Sequence, residues 1–326
     1  MYSLYRIPVI FLALATVCFS QTNSNPSMAA MPSPTPAFKG WEHVPDTVSV
    51  LADVEIGKGG DQTLHADLAW PKNPPKTPMP AILWIHGGGW RGGSEKPNKA
   101  LYFAERGYFT VSIEYRIGWV VKWPNEIQDC KLGVRWLRAN AAKYNVDPNH
   151  IGCWGESAGG HLVSCLGTMN DPKLEGQGGY EGVSSKVQAV VDWCGPVDFT
   201  KGGFNDDSEI ITPAEKKNAT GTIAGLLRVS YEQDPQAWKD ASPITHIGPN
   251  TCPFMIVHGD IDPSVAVSQS QRFAAALQKA GVPVDLIIVK NGLHSLCAPK
   301  DMPPATPGVP DVLSRMVAFF DKNLKK

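Results

Sequence analysis

His150-Ile151-Gly152-Cys153-Trp154-Gly155-Glu156-Ser157-Ala158-Gly159-Gly160-His161-Leu162 is the stretch that decides the fold. Residues 150–154 read as a short strand, Gly155 to Gly160 as a tight turn, and the apolar run from Ser157 to about residue 169 as a helix. A side chain perched between strand and helix must adopt strained backbone angles. Glycines two positions to either side, Gly155 and Gly159, remove the Cβ atoms that would collide with neighbouring chain at such a turn. The new helix also aims its N-terminus at any negative charge that develops there. Gly-x-Ser-x-Gly is common as a string of letters. Its setting, after a strand and at the start of a helix, is what makes Ser157 a candidate nucleophile.

Outward from that turn the chain alternates short apolar runs with longer periodic ones. Residues 48–56 and 64–70 alternate apolar and polar, as a half-exposed hairpin does. Residues 81–86, 109–115, 187–193, 253–258 and 284–290 read as strands, the first two as continuous buried runs. Between them, residues 99–106, 125–144, 264–280 and 311–324 read as helices; in the second, Ile127, Cys130, Val134, Leu137 and Ala141 make one apolar stripe. Strand alternating with helix predicts an α/β fold: a mostly parallel central sheet with helices on both faces. Residues 198–240 break the rhythm and read as a polar, lid-like insertion with a small helical piece near residues 222–229.

A serine hydroxyl needs a base and a site for the oxyanion. For a nucleophile on this kind of turn the chain order is serine, acid, histidine. Of the eight histidines, His43, His65, His86 and His150 precede Ser157, and His161 lies one turn along its own helix. His246 lies before the next strand, and His258 ends that strand, where packing and hydrogen bonding suffice to explain it. His294, in a loop after a buried strand, is the candidate base. The acid belongs at the end of the strand between, where His258-Gly259-Asp260-Ile261-Asp262-Pro263 offers Asp260 and Asp262. Position favours Asp262 and leaves Asp260 open, since either could cap the following helix. Upstream, His86-Gly87-Gly88-Gly89-Trp90 follows a buried strand, and its glycine N–H groups, with that of Ala158, form a candidate oxyanion hole. Trp90, Trp119 and Trp123 are candidates for lining a substrate pocket, with ordinary core filling as the alternative.

The chain has 326 residues with 43% hydrophobic and 19% charged, enough for one large globular domain over residues 41–326. A formal net charge of −1 lacks the basic excess that nucleic acid demands, so no nucleic-acid partner is expected. Residues 1–20 carry one arginine, Arg6, then an apolar run to Phe19 and a small residue, Ser20, which reads as a signal peptide. The run is short for a bilayer span, and Val17 fits poorly before a lipidated Cys18, so export without a stable membrane span is expected. Residues 21–40, with Pro26, Pro32, Pro34 and Pro36, read as a spacer. Six cysteines follow the leader with no Cys-x-x-Cys spacing, so neither a zinc site nor any other metal or cofactor is expected. Cys130, Cys153 and Cys165 read as small buried hydrophobes.

Three segments, His86 to Gly93, Gly155 to Leu162 and His258 to Pro263, together resemble the α/β-hydrolase superfamily, in particular its bacterial esterase branch. That branch includes the hormone-sensitive-lipase-like esterases and the feruloyl and acetylxylan esterase-like (BD-FAE-like) proteins. The resemblance covers about residues 45–325. It implies Ser157, Asp262 and His294 as a catalytic triad, raising Asp262 over Asp260, and Gly88, Gly89 and Ala158 as oxyanion donors. It also implies a carboxylic-ester substrate, and export with the Pro-rich spacer suits acetyl or feruloyl groups on a plant polysaccharide beside a small-molecule ester. Leu293 departs from the Gly-His or Ala-His of many relatives. An amide hydrolase on the same triad, and an inactive binding protein on the same fold, are the competing expectations.

Overall fold

The hairpin that opens the sheet is β1 (Val48–Gly59) and β2 (Gln62–Pro71), paired antiparallel through a turn at Gly60 and Asp61. These belong to a computed structural model that describes residues 44–95, 99, 101–118, 121–205 and 210–325. After it come β3 (Met79–Ile85), α1 (Leu101–Ala104), β4 (Phe109–Ile113), α2 (Asn125–Ala139), β5 (Val146–Glu156) and α3 (Ala158–Thr168). The second half holds β6 (Ala189–Trp193), α4 (Pro213–Leu227), α5 (Pro235–Asp240), β7 (Phe254–Gly259), α6 (Ser268–Lys279), β8 (Val284–Val289) and α7 (Val309–Leu324). The sheet order is β1-β2-β4-β3-β5-β6-β7-β8. Its first two pairings are antiparallel and the rest, from β4 to β8, parallel.

The inner parallel strands are buried on both faces, and their side-chain period of two sorts them into two cores. Ala81, Leu83 and Ile85 of β3 face one side, where Ile127, Val134 and Leu137 of α2 and Leu162 and Leu166 of α3 pack. Ile82 and Trp84 face the other, against Phe103 of α1 and Met316, Phe319 and Phe320 of α7. On this second face three tryptophans stand on successive strands. Trp84 lies 6.2 Å from Trp154, and Trp154 5.9 Å from Trp193, measured between ring centroids.

Several boundaries differ from the sequence reading, and two of the differences matter most for what surrounds the serine turn. The helix expected to run to residue 144 is α2 to Ala139, then a 3-10 turn over Ala141–Tyr144 closed by Asn145 in the left-handed region. The insertion holds a 15-residue helix, α4, rather than a small piece near residue 222. Thr212 accepts the Glu215 N–H and Glu215 reaches back to the Thr212 N–H, a capping box that starts this helix well upstream. The described part of the insertion docks beside the glycine loop, where Gly221 O accepts from Arg91 at 3.3 Å and Leu226 O from the Trp123 N–H at 3.1 Å.

The signal peptide and spacer expected over residues 1–40 lie outside the described residues. Among those described, no helix is long and apolar enough to cross a membrane. Cys130, Cys153, Cys165, Cys194, Cys252 and Cys297 are unpaired, and the first three are buried.

Candidate active site

Strand β5 ends at Glu156, helix α3 begins at Ala158, and Ser157 between them has φ 57° and ψ −121°, a conformation few non-glycine residues adopt. Its N–H is tied to Trp193 O at 2.9 Å. The flanking glycines are there for space. A Cβ on Gly155 would sit 2.5 Å from Gly159 O and 2.8 Å from Ile85 O; one on Gly159 would sit 2.7 Å from His86 O and closer still to Ile85 O. The turn therefore fits against the end of β3 only with glycine at both places.

The end of β3 leads into the glycine loop. Gly88 (φ 110°) and Gly89 (φ 61°) both lie in the left-handed half of backbone space. Gly88 O accepts the N–H groups of Arg91 and Gly92, each at 3.1 Å, curling the loop back on itself. His86 braces it from behind, with Nδ1 2.8 Å from Gly87 O and its ring stacked 4.3 Å from Tyr115. Burial pushes the His86 titration down, partly offset by that carbonyl. Gly87, Gly88, Gly89, Ser157 and His294 line one cavity of about 1030 Å³. Ala158 is the first residue of α3, so its N–H has no acceptor within the helix.

The other two predicted residues come from β7 and β8. A Cβ on Gly259, the last residue of β7, would sit 2.5 Å from Leu293 O, so only glycine lets the β8 loop close on this strand end. That closure sets His294 Nδ1 2.6 Å from Asp262 Oδ2. Asp262 is fully buried, and its Oδ1 accepts the N–H groups of Ser264 (2.7 Å) and Val265 (3.0 Å). Burial alone would push this carboxyl up. Hydrogen bonds from His258 and His294, and their charges, outweigh it and hold the group well below the usual carboxylate range. Asp260 does something else: its Oδ1 accepts the Gly292 N–H at 3.2 Å, bracing the loop that carries His294. Of the remaining histidines, His161 is buried with Nε2 2.8 Å from Ala241 O and its titration lowered by burial to about 4.

The tryptophan expectation needs correcting. Trp90 (3% exposed) stands edge-on to His161 at 5.2 Å and to Phe199 at 6.3 Å. Trp123 packs 5.4 Å from the same His161. Both fill the space between α3 and the insertion and neither lines the cavity; Trp119 lies outside the described residues. The tryptophans that do line it are Trp84 and Trp193, from β3 and β6. Other cavity residues had no signal in the sequence. Lys99 forms an ion pair with Glu156 at the cavity wall. Cys194 donates its thiol hydrogen to His294 O at 3.4 Å.

Cys194, Asp262 and His294 bring one potential metal-ligand atom each to within 4.8 Å of one another. Yet the Asp262–His294 separation of 2.6 Å is that of two atoms sharing a proton. Two ligands of one tetrahedral zinc stand about 3.3 Å apart. The pair is built as an acid holding an imidazole.

A mostly parallel sheet with helices on both faces, and a serine turn at the end of its fifth strand, make the molecule an α/β-hydrolase. The chain belongs to the BD-FAE family, which residues 66–277 match. It is similar to Esterase LipQ of Mycobacterium tuberculosis, at 32% identity over 71% of this chain and 53% of that protein. The chain thus spans about half the length of the curated relatives it matches. Among solved structures it resembles a truncated carbohydrate esterase from gut microbiota, with TM-score 0.72 and 29% identity over 86% of this chain and 98% of that one. It also resembles the butyrate-bound thermophilic esterase Est2 of Thermogutta terrifontis, with TM-score 0.66 and 26% identity over 83% and 94% of the two chains.

Proposed function

We propose that the protein hydrolyses carboxylic esters through an acyl-enzyme intermediate on Ser157. The observation that carries this reading is the 2.6 Å Asp262–His294 pair opening on the same cavity as the strained serine turn. His294 Nε2 takes the hydroxyl proton as Ser157 Oγ bonds to the ester carbonyl carbon. Asp262 keeps the imidazole proton on Nδ1 and stabilises the imidazolium. The N–H groups of Gly88, Gly89 and Ala158 receive the oxyanion. Collapse breaks the bond to the alkoxy oxygen, which leaves with the proton from His294. Water repeats the sequence and releases the acid. No metal or cofactor has a part in these steps.

The substrate is an acetyl or feruloyl ester carried on a plant polysaccharide or a small alcohol. A cavity of about 1030 Å³ walled by Trp84 and Trp193 has room for an aromatic acyl group or a sugar ring, and the gut carbohydrate esterase supports the same direction. Export follows from the apolar run before Ser20.

The experiment measures turnover of p-nitrophenyl acetate, methyl ferulate and acetylated xylan by wild type and Ser157→Ala. Loss of at least about 10³-fold in the variant is expected. Unchanged turnover overturns the assignment of the nucleophile, and faster cleavage of an anilide than of the matching ester would make the protein an amidase. N-terminal sequencing of the protein from the culture medium or periplasm tests the leader.

A further inference from the structure

His258, next to last in β7, has its ring wholly buried, and the chemistry above gives it no role. Its surroundings dictate where its proton sits. Nε2 lies 3.0 Å from Val265 O and 3.2 Å from Asp262 Oδ2. A carbonyl and an ionised carboxylate only accept, so Nε2 must carry a hydrogen, shared between them. Nδ1 lies 2.7 Å from the hydroxyl of Ser270 on α6, which can donate to it. The Asp262 carboxylate therefore receives four N–H groups: two backbone donors on Oδ1, and one imidazole from each side on Oδ2.

We infer that His258 is a positioning residue for the Asp262–His294 pair: it fixes the rotation of the carboxylate and draws charge from Oδ2. This rests on the assignment of Ser157, Asp262 and His294 proposed above. The direction of the effect follows from the shared oxygen. With the His258 N–H present, Oδ2 is a weaker acceptor toward His294. With it removed, Oδ2 holds the His294 imidazolium more tightly, and the base stays protonated to higher pH.

Other titratable groups face this cluster. Asp192 on β6 lies near His258; burial pushes its carboxyl up to about 6, against the Gly195 N–H (2.8 Å) and the Ser164 hydroxyl (3.0 Å). Cys194, just beyond β6, keeps its thiol well above its ordinary range through burial. His294 comes from the β8 loop. On α6 the nearby Ser270 and Gln269 do not titrate, and Gln269 bonds to the Val197 and Asp198 N–H groups. All of these persist when His258 is changed, so a comparison among His258 variants isolates its Nε2–H.

The test measures kcat and KM for p-nitrophenyl acetate from about pH 5 to about pH 9 with the full chain as wild type, Ser157→Ala, His258→Gln and His258→Asn. Glutamine places an amide N–H where Nε2 stood; asparagine reaches only the Nδ1 position, toward Ser270. We expect His258→Asn to lose about tenfold in kcat with KM unchanged, and its acid limb to move up by about half a pH unit. His258→Gln should stay within about threefold of wild type with the limb in place. Equal behaviour of the two variants, or profiles that overlie wild type, overturns the inference. A measurement on unmutated protein decides even if a variant does not fold. In histidine-labelled wild type, the nitrogen spectrum at neutral pH must show His258 protonated at Nε2, and a bare Nε2 overturns the inference outright. Ser157→Ala separates the two levels. If it keeps its turnover, the triad assignment fails; if it is inactive and the His258 results still disagree, only this inference fails.

Discussion

Asp262→Asn is the substitution whose outcome the geometry specifies most closely. Asparagine keeps one acceptor oxygen and turns the other into a donor. With its oxygen at the Oδ1 position it still accepts from Ser264 and Val265, at 2.7 and 3.0 Å. Its NH₂ then confronts the N–H groups of His294 and His258, at 2.6 and 3.2 Å, donor against donor. His294 escapes by moving its proton to Nε2, the atom that must accept from Ser157. Flipping the amide instead leaves two buried backbone N–H groups facing a donor, at about 1–3 kcal/mol for each. The unflipped amide avoids that cost and loses the competent tautomer, and the expected fall in kcat is about 10⁴ with KM little changed. Asp260→Asn is the control. That residue accepts one N–H, from Gly292, through Oδ1 at 3.2 Å, and an amide oxygen does the same. Its kcat should stay within about threefold of wild type, a neutral hydrogen bond replacing a charged one on a loop. Steady-state hydrolysis of p-nitrophenyl acetate, with circular dichroism to check folding, reads both. If folded Asp262→Asn keeps more than about a tenth of wild-type kcat, or if Asp260→Asn falls as far, the acid has been misassigned.

Gly159→Ala should destabilise by about 2 kcal/mol or more in urea unfolding, because the new Cβ would stand 2.7 Å from His86 O. Helix propensity alone would give a gain of about 1 kcal/mol, so a stabilised variant would refute the packing argument. Glu126, on the first turn of α2, is 1% exposed and burial raises its carboxyl from 4.5 to about 7. The folded state therefore holds a proton that the unfolded state has released between those two values, and stability falls as pH rises through that window. The whole span is worth roughly 3 kcal/mol, so Glu126→Gln should gain about that much over wild type at pH 8 relative to pH 4. A difference independent of pH counts against it.

The parallel strands are legible as short, mostly apolar runs, and the turn at Ser157 because glycines surround it where a strand stops. Asp262 over Asp260 was harder, since two carboxylates two residues apart differ only in which loop they face. The closure of Gly259 against the loop carrying His294 settles their geometry, and it joins segments more than thirty residues apart. The start of α4 lies in Thr212-Pro213-Ala214-Glu215, a capping box rather than an apolar stripe, and Asn218, Thr220 and Gly221 dilute the apolar period of the helix that follows. The cavity tryptophans were misplaced for a physical reason. A tryptophan next to a glycine loop looks like a pocket wall, whereas Trp84 and Trp193 sit inside runs that read only as buried strand. Which rings meet the cavity depends on where the strands stop, and no local pattern encodes that.

The row of Trp84, Trp154 and Trp193 makes the protein its own optical probe. Three indoles, with neighbouring centroids 6.2 and 5.9 Å apart, are close enough for their near-ultraviolet transitions to couple, and the two outer rings form part of the cavity wall. Emission and near-ultraviolet dichroism should therefore register an acyl group arriving beside Ser157, allowing acylation and deacylation to be followed in real time without a chromogenic leaving group.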